Sequence, residues 1–166
     1  MKKYKDILIA SIVVGLSSLL YIDFYIENFK FSFAGVMFPL LLFIYDEFNP
    51  ILFGALSGFS LVFFRGVFYG VFQGDFVGNI LYAIPENIFY IVYGGFLFYI
   101  KKKFKPITHN KMFIIAVISD TLANIIEIYI RIGSSLFTSN YEIIKVLLLV
   151  GLLRASLVWL MIMGYK

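Results

Sequence analysis

The sequence predicts an all-α, polytopic membrane helix bundle. Three observations carry that prediction. Apolar residues make up 61% of the chain and charged residues only 14%, and the mean hydropathy of +0.93 lies far above that of a water-soluble domain. The apolar residues fall into six runs, most of them near the roughly 20 residues that cross a bilayer. The lysines fall between those runs in an alternating pattern. One integral membrane domain over residues 1–166 accounts for all three, with no soluble domain and no internal repeat.

The first run, Ile7 to Ile22, follows a basic start and has the outline of a secretory signal, with Ser17 and Ser18 as small residues. It continues into Leu-Leu-Tyr-Ile-Asp without a small-x-small boundary, so we read it as a retained helix. The second run, Phe31 to Tyr45, has about 15 residues and stays open between a short span, a span extended by its aromatic flanks and a re-entrant segment. We count it as a span. The remaining runs are Ile51 to Phe72, Phe76 to Ile100, Met112 to Gly133 and Tyr141 to Gly164. Six transmembrane helices are therefore expected.

Orientation follows from the lysines, because short cytoplasmic loops carry the Lys/Arg excess. With both termini inside, Lys2, Lys3, Lys5, Lys101, Lys102, Lys103, Lys105, Lys111 and Lys166 are all cytoplasmic, and Lys30 and Lys145 lie outside. Asp46 and Glu47 then fall inside, which the rule tolerates because acids contribute little to it. The net charge of +4 is this inside excess and gives no reason to invoke nucleic acid.

Composition also excludes chemistry. The chain has no cysteine, so disulfides and thiolate metal sites are ruled out. Its single histidine, His109, falls in the basic loop, where a solvated side chain is expected. No phosphate-binding glycine loop, zinc signature or nucleophile elbow occurs, and no nucleophile has a base at suggestive spacing. We expect neither an enzyme nor a cofactor or metal centre.

Six ionisable residues interrupt the apolar runs at membrane depth: Arg65, Glu86, Asp120, Glu127, Arg131 and Arg154. Charges at membrane depth are costly and mark functional sites. Counting about 1.5 Å per residue places Arg65 and Glu127 about 21 and 22 Å from the cytoplasmic side, and Asp120 and Arg154 about 12 and 10 Å from it. An outer Arg65–Glu127 pair and an inner Asp120–Arg154 pair are expected, with Glu86 near the midplane and Arg131 at the outer rim. Three acids against three bases leave the interior neutral, as pairing in a low dielectric requires.

Asp120, Asn124, Glu127 and Arg131 step by four, three and four residues, so they form one polar stripe that must look into the bundle. Such a stripe either locks helices through ion pairs or lines a cavity for a ligand, and both readings stand. The fourth run holds Pro85, which predicts a kink, with Glu86 and Asn87 beside it. Tyr69 lies four residues after Arg65 and shares its face. Gly54, Gly58, Gly66, Gly70, Gly74 and Gly78 recur at small spacings, as expected where helices approach closely. The many phenylalanines and tyrosines elsewhere read as lipid-facing bulk and interfacial belts.

A family resemblance enters at these residues. Asn49-Pro50, Gly54, Gly58, Arg65 and Gly70, followed by Ala83-Ile84-Pro85-Glu86-Asn87 and Gly94-Gly95, resemble the membrane domain of LytS-type sensor histidine kinases. Ser119 to Glu127, Arg131 and Leu153-Arg154-Ala155 are similar to later spans of membrane sensors in clostridial kinases. The broad architecture is shared by the substrate-binding S components of energy-coupling-factor transporters and by the cell-shape protein MreD. Ser11 and Gly15 are similar to the small-residue surface of S components, yet Val14 stands where alanine is expected, and Arg65 stands where MreD-like proteins have an acid.

The resemblance implies a sensory or ligand-binding domain in a bacterial cytoplasmic membrane, reading a small ligand or an envelope signal in its outer half. The alternatives are a transport component and a membrane scaffold. Expected partners are the lipid bilayer, a cytoplasmic kinase module or other signalling partner, a small anionic ligand and a second copy of the chain. The residues expected to form the site are Arg65, Tyr69, Glu86, Asn87, Asp120, Asn124, Glu127, Arg131 and Arg154.

Overall fold

The computed structural model describes residues 2–23, 30–74, 76–103, 108–132 and 141–165. They form six α-helices and one small antiparallel hairpin: α1 (Lys2–Ser17), β1 (Tyr21–Asp23), β2 (Lys30–Ser32), α2 (Ala34–Ile44), α3 (Pro50–Gln73), α4 (Phe76–Lys103), α5 (His109–Ile132) and α6 (Tyr141–Tyr165). The all-α bundle is as expected. Within α3 to α6 lie four helices long and apolar enough to cross a membrane, and their outward faces carry large apolar side chains such as Phe59, Val71, Phe72 and Leu160. The chain is thus a membrane protein whose exposed surface suits acyl chains.

The first two runs depart from the expected spans. α1 has 16 residues and α2 only 11, so α2 is about 16 Å long, roughly half of a bilayer core. The rest of the second run goes into the hairpin, where Tyr21 opposes Ser32 and Asp23 opposes Lys30. The Phe33 amide donates to the Leu20 carbonyl at 3.0 Å, tying the start of α2 to the end of α1. Ser32 Oγ accepts from the Ala34 amide at 3.3 Å and so supplies a partner for a donor the first turn leaves open. Phe31 and Ser32 are both buried, so this non-helical backbone is covered by protein, as membrane depth demands.

α2 is a plug more than a span. Its Phe38 is fully buried and stacks on Phe53 of α3, with ring centroids 5.0 Å apart, and meets Tyr90 and Tyr93 of α4 at 5.3 and 5.4 Å. Ile7, Val14, Leu42, Leu61 and Leu97 complete the core around it.

α3 starts and stops on local signals. Asn49 Oδ1 accepts from the amides of Ile51 and Leu52 at 3.0 and 3.2 Å, and Pro50 fills the first helical position, where its missing amide hydrogen costs nothing. At the other end Gly74 adopts φ 75°, a left-handed conformation that glycine reaches without a Cβ penalty. α4 then runs back as one helix of 28 residues that continues through Pro85. α3 and α4 pack backbone to backbone. A methyl group on Gly54 would collide with the Tyr90 carbonyl, one on Gly58 with Asn87, and one on Gly94 with the Pro50 carbonyl.

α1 packs on α3, α5 on α4 and α6, and α2 on α1 and α6. Lys101 Nζ meets Asp46 Oδ1 at 2.6 Å and donates to the Leu42 carbonyl at 3.2 Å near the end of α2. The acidic α2–α3 connection therefore lies at the same end of the bundle as the lysine-rich end of α4, on the side where the lysine pattern put it.

Candidate functional site

Two layers of buried charge cross the bundle, and both include α5. The layer nearer the lysine-rich end is the expected pair. Arg154 Nη1 of α6 meets Asp120 Oδ1 and Oδ2 at 3.1 and 3.4 Å, with the Arg154 and Asp120 side chains 7% and 1% exposed. Asn124, one turn along α5, donates to Asp120 Oδ2 at 2.9 Å and to the Asp120 carbonyl at 2.8 Å. The Arg154 guanidinium also lies 5.5 Å from the Phe31 ring and 5.8 Å from the Phe89 ring, within cation–π range of both. Gly35 makes room for it, since a Cβ there would come within 2.7 Å of Arg154 Nε. Arg154 thus joins α6 to α5 by charge and to the hairpin and α2 by packing.

The second layer corrects the expected pairing. Arg65 of α3 does not take Glu127 as its partner; its Nη1 donates to both oxygens of Glu86 at 2.5 Å, and its Nη2 donates to the Ser18 carbonyl at 3.1 Å. Glu127 instead accepts from Arg131 Nε and Nη2 at 3.0 and 2.8 Å, one helical turn away. Arg131 Nη2 also lies 3.5 Å from Glu86 Oε1. The physical reason is lateral order. Arg65 and Glu127 stand at similar heights, but α4 packs on both α3 and α5, so Glu86 is the first acid Arg65 meets. Glu86 becomes the carboxylate shared by two arginines, and the four side chains sum to zero charge.

The other expected residues fall around these layers. Tyr69, one turn beyond Arg65, is hydrogen-bonded to Tyr21 of β1, so the hairpin roofs the Arg65 layer. Asn87 turns away from the charges toward Gly58 on α3, and its Oδ1 is buried without a partner among the described residues. Arg65 Nε and Arg154 Nε are likewise buried donors without a partner among the described residues. Ser11 is fully buried and Gly15 packs against Ser60 and Phe64 of α3, so this small-residue face of α1 is turned into the bundle.

The residues expected to form the site leave out Ser18, Gly35, Phe31, Phe89 and Tyr90. Tyr90 is 3% exposed and lies one turn along α4 from Glu86, a spacing that pointed to it. Nothing in the sequence pointed to Gly35 or Phe31, whose positions depend on how the hairpin folds over. The chain matches no family model, no curated protein and no solved structure.

Proposed function

We propose that the chain is a ligand-binding sensory domain of a bacterial cytoplasmic membrane, with both termini inside, that reads a small anionic ligand or an envelope signal through the Arg65 layer. The observation that carries this reading is the double use of Glu86. One carboxylate holds α3 through Arg65 and α5 through Arg131, while Arg65 Nε has no hydrogen-bond partner among the described residues. A carboxylate or phosphate arriving at Arg65 has a donor waiting and a planar guanidinium suited to paired oxygens. By competing with Glu86 it favours a packing in which Glu86 moves toward Arg131. A ligand shifts such an equilibrium only by its differential affinity for the two packings, and here that difference is the Arg65 contact.

The signal then has a route. Glu127 and Arg131 sit on the α5 face that also carries Asp120, and Asp120 holds Arg154 of α6. A shift or rotation of α5 is passed to α6, whose far end lies on the side proposed for a cytoplasmic kinase module or other signalling partner. The resemblance to LytS-type sensor domains supports the same reading. One observation favours a different class. The four charges of the layer satisfy one another, which also suits a membrane scaffold held together by ion pairs.

Native mass spectrometry of the gently extracted protein separates these. The sensor reading expects a small molecule retained by the wild type and lost from Arg65→Ala. No molecule in either form, with both folded, contradicts it and leaves the charges as assembly devices.

A further inference from the structure

The charge balance of the Arg65 layer limits what can enter it. Arg65, Arg131, Glu86 and Glu127 sum to zero, and their side chains are only 10% to 20% exposed, so water screens an added charge poorly. A monoanion that takes Arg65 from Glu86 leaves the layer with one negative charge in excess. That excess falls on Glu86. Its two oxygens now lie 2.5 Å from Arg65 Nη1, whereas Arg131 Nη2 is 3.5 Å from Glu86 Oε1. Glu127 Oε1 already accepts from Arg131 Nε and Nη2 at 3.0 and 2.8 Å. A displaced Glu86 therefore competes with Glu127 for one guanidinium, and two carboxylates share a single positive charge. The imbalance disappears when the arriving molecule brings a cation of its own.

We propose that the ligand of this layer is an α-amino acid in its zwitterionic form, with its carboxylate on Arg65 and its ammonium on Glu86. This rests on the reading of the Arg65 layer as a ligand site and names the class of molecule: the anionic group is one end of a neutral ligand. Arg65 and Glu86 are in direct contact, so a molecule inserted between them has to carry its two charges close together, as groups on one carbon do. Arg65 Nε, buried with no hydrogen-bond partner among the described residues, is a donor for the incoming carboxylate beside the Nη1 that Glu86 vacates. The ammonium has three donors and no acceptor, which matches a carboxylate that has just lost its arginine. The layer stays neutral throughout.

The test is native mass spectrometry of the extracted protein, stripped of retained molecules and titrated with an equimolar mixture of the natural amino acids. A second titration uses the 2-hydroxy acids of the same side chains, which carry a neutral hydroxyl in place of the ammonium. An amino acid is expected to bind wild type about tenfold or more tighter than its hydroxy acid, the scale of one lost hydrogen bond between charged groups. Arg65→Ala is expected to bind neither. Glu127→Gln keeps the side-chain shape and leaves the layer with one positive charge in excess, so there the preference is expected to reverse toward the hydroxy acid. A hydroxy acid held by wild type as tightly as its amino acid overturns the proposal and leaves a plain anion as the ligand. An unchanged preference in Glu127→Gln overturns it by showing that charge balance does not select. Binding of neither mixture also overturns it. In that case the ligand-site reading stands if wild type as extracted holds a molecule that Arg65→Ala lacks, and falls with the proposal if it holds none.

Discussion

Glu86→Ala is expected to destabilise the protein by about 3–5 kcal/mol, the cost of stranding buried charge after one partner is removed. Arg65 is 8% exposed, and Glu86 is its paired carboxylate. Arg131 keeps Glu127, so Arg65 carries most of the penalty. The expectation is therefore asymmetric. Adding Arg65→Met to Glu86→Leu removes both charges and replaces them with apolar bulk, and it is expected to recover much of the loss, whereas adding Arg131→Met to Glu86→Leu is not. Thermal unfolding in detergent, followed by the fraction eluting as a monodisperse species, checks both. Wild-type stability in Glu86→Ala would show that the shared carboxylate does not hold the bundle.

The second large effect separates two adjacent glycines. A Cβ on Gly94 collides with the Pro50 carbonyl at the start of α3, while one on Gly95 meets nothing within 4 Å. Backbone cannot give way as a flexible side chain does, so Gly94→Ala is expected to cost about 3 kcal/mol, the upper end for overpacking. Gly95→Ala has the same gain in helix propensity with no clash, and is expected to be neutral or to stabilise by up to about 1 kcal/mol. Comparable melting of the two variants would mean that α3 and α4 do not approach as closely as the structure has them.

The long helices were legible because each carries its own signal. α3 to α6 begin and end within a few residues of the apolar runs, and the Asn49-Pro50 start and the Gly74 stop are local chemistry. The polar stripe of α5 was legible for the same reason, since spacing alone puts Asp120, Asn124, Glu127 and Arg131 on one face. The half-length of α2 was not. Its apolar run continues through Phe31 and Phe33, and only the backbone bond from Phe33 to Leu20 and the three-residue strands show that this part leaves the helix. The Arg65 partner was misread because counting along a helix gives height and not neighbours. Asp120 and Arg154 were correctly paired because α5 packs directly on α6 and no third helix intervenes.

In the proposed mechanism α5 transmits a change in the Arg65 layer to α6. The chain's lack of cysteine permits a clean measurement. Spin labels at Tyr99→Cys on α4 and Leu160→Cys on α6, two lipid-facing positions toward the lysine-rich end, report the displacement of α6 by pulsed electron–electron resonance. Glu127→Gln frees Arg131 to draw Glu86 from Arg65 without changing side-chain shape. A shifted or newly bimodal distance distribution is expected in Glu127→Gln relative to the otherwise unchanged labelled protein. An identical distribution in a fully folded Glu127→Gln protein would contradict that mechanism.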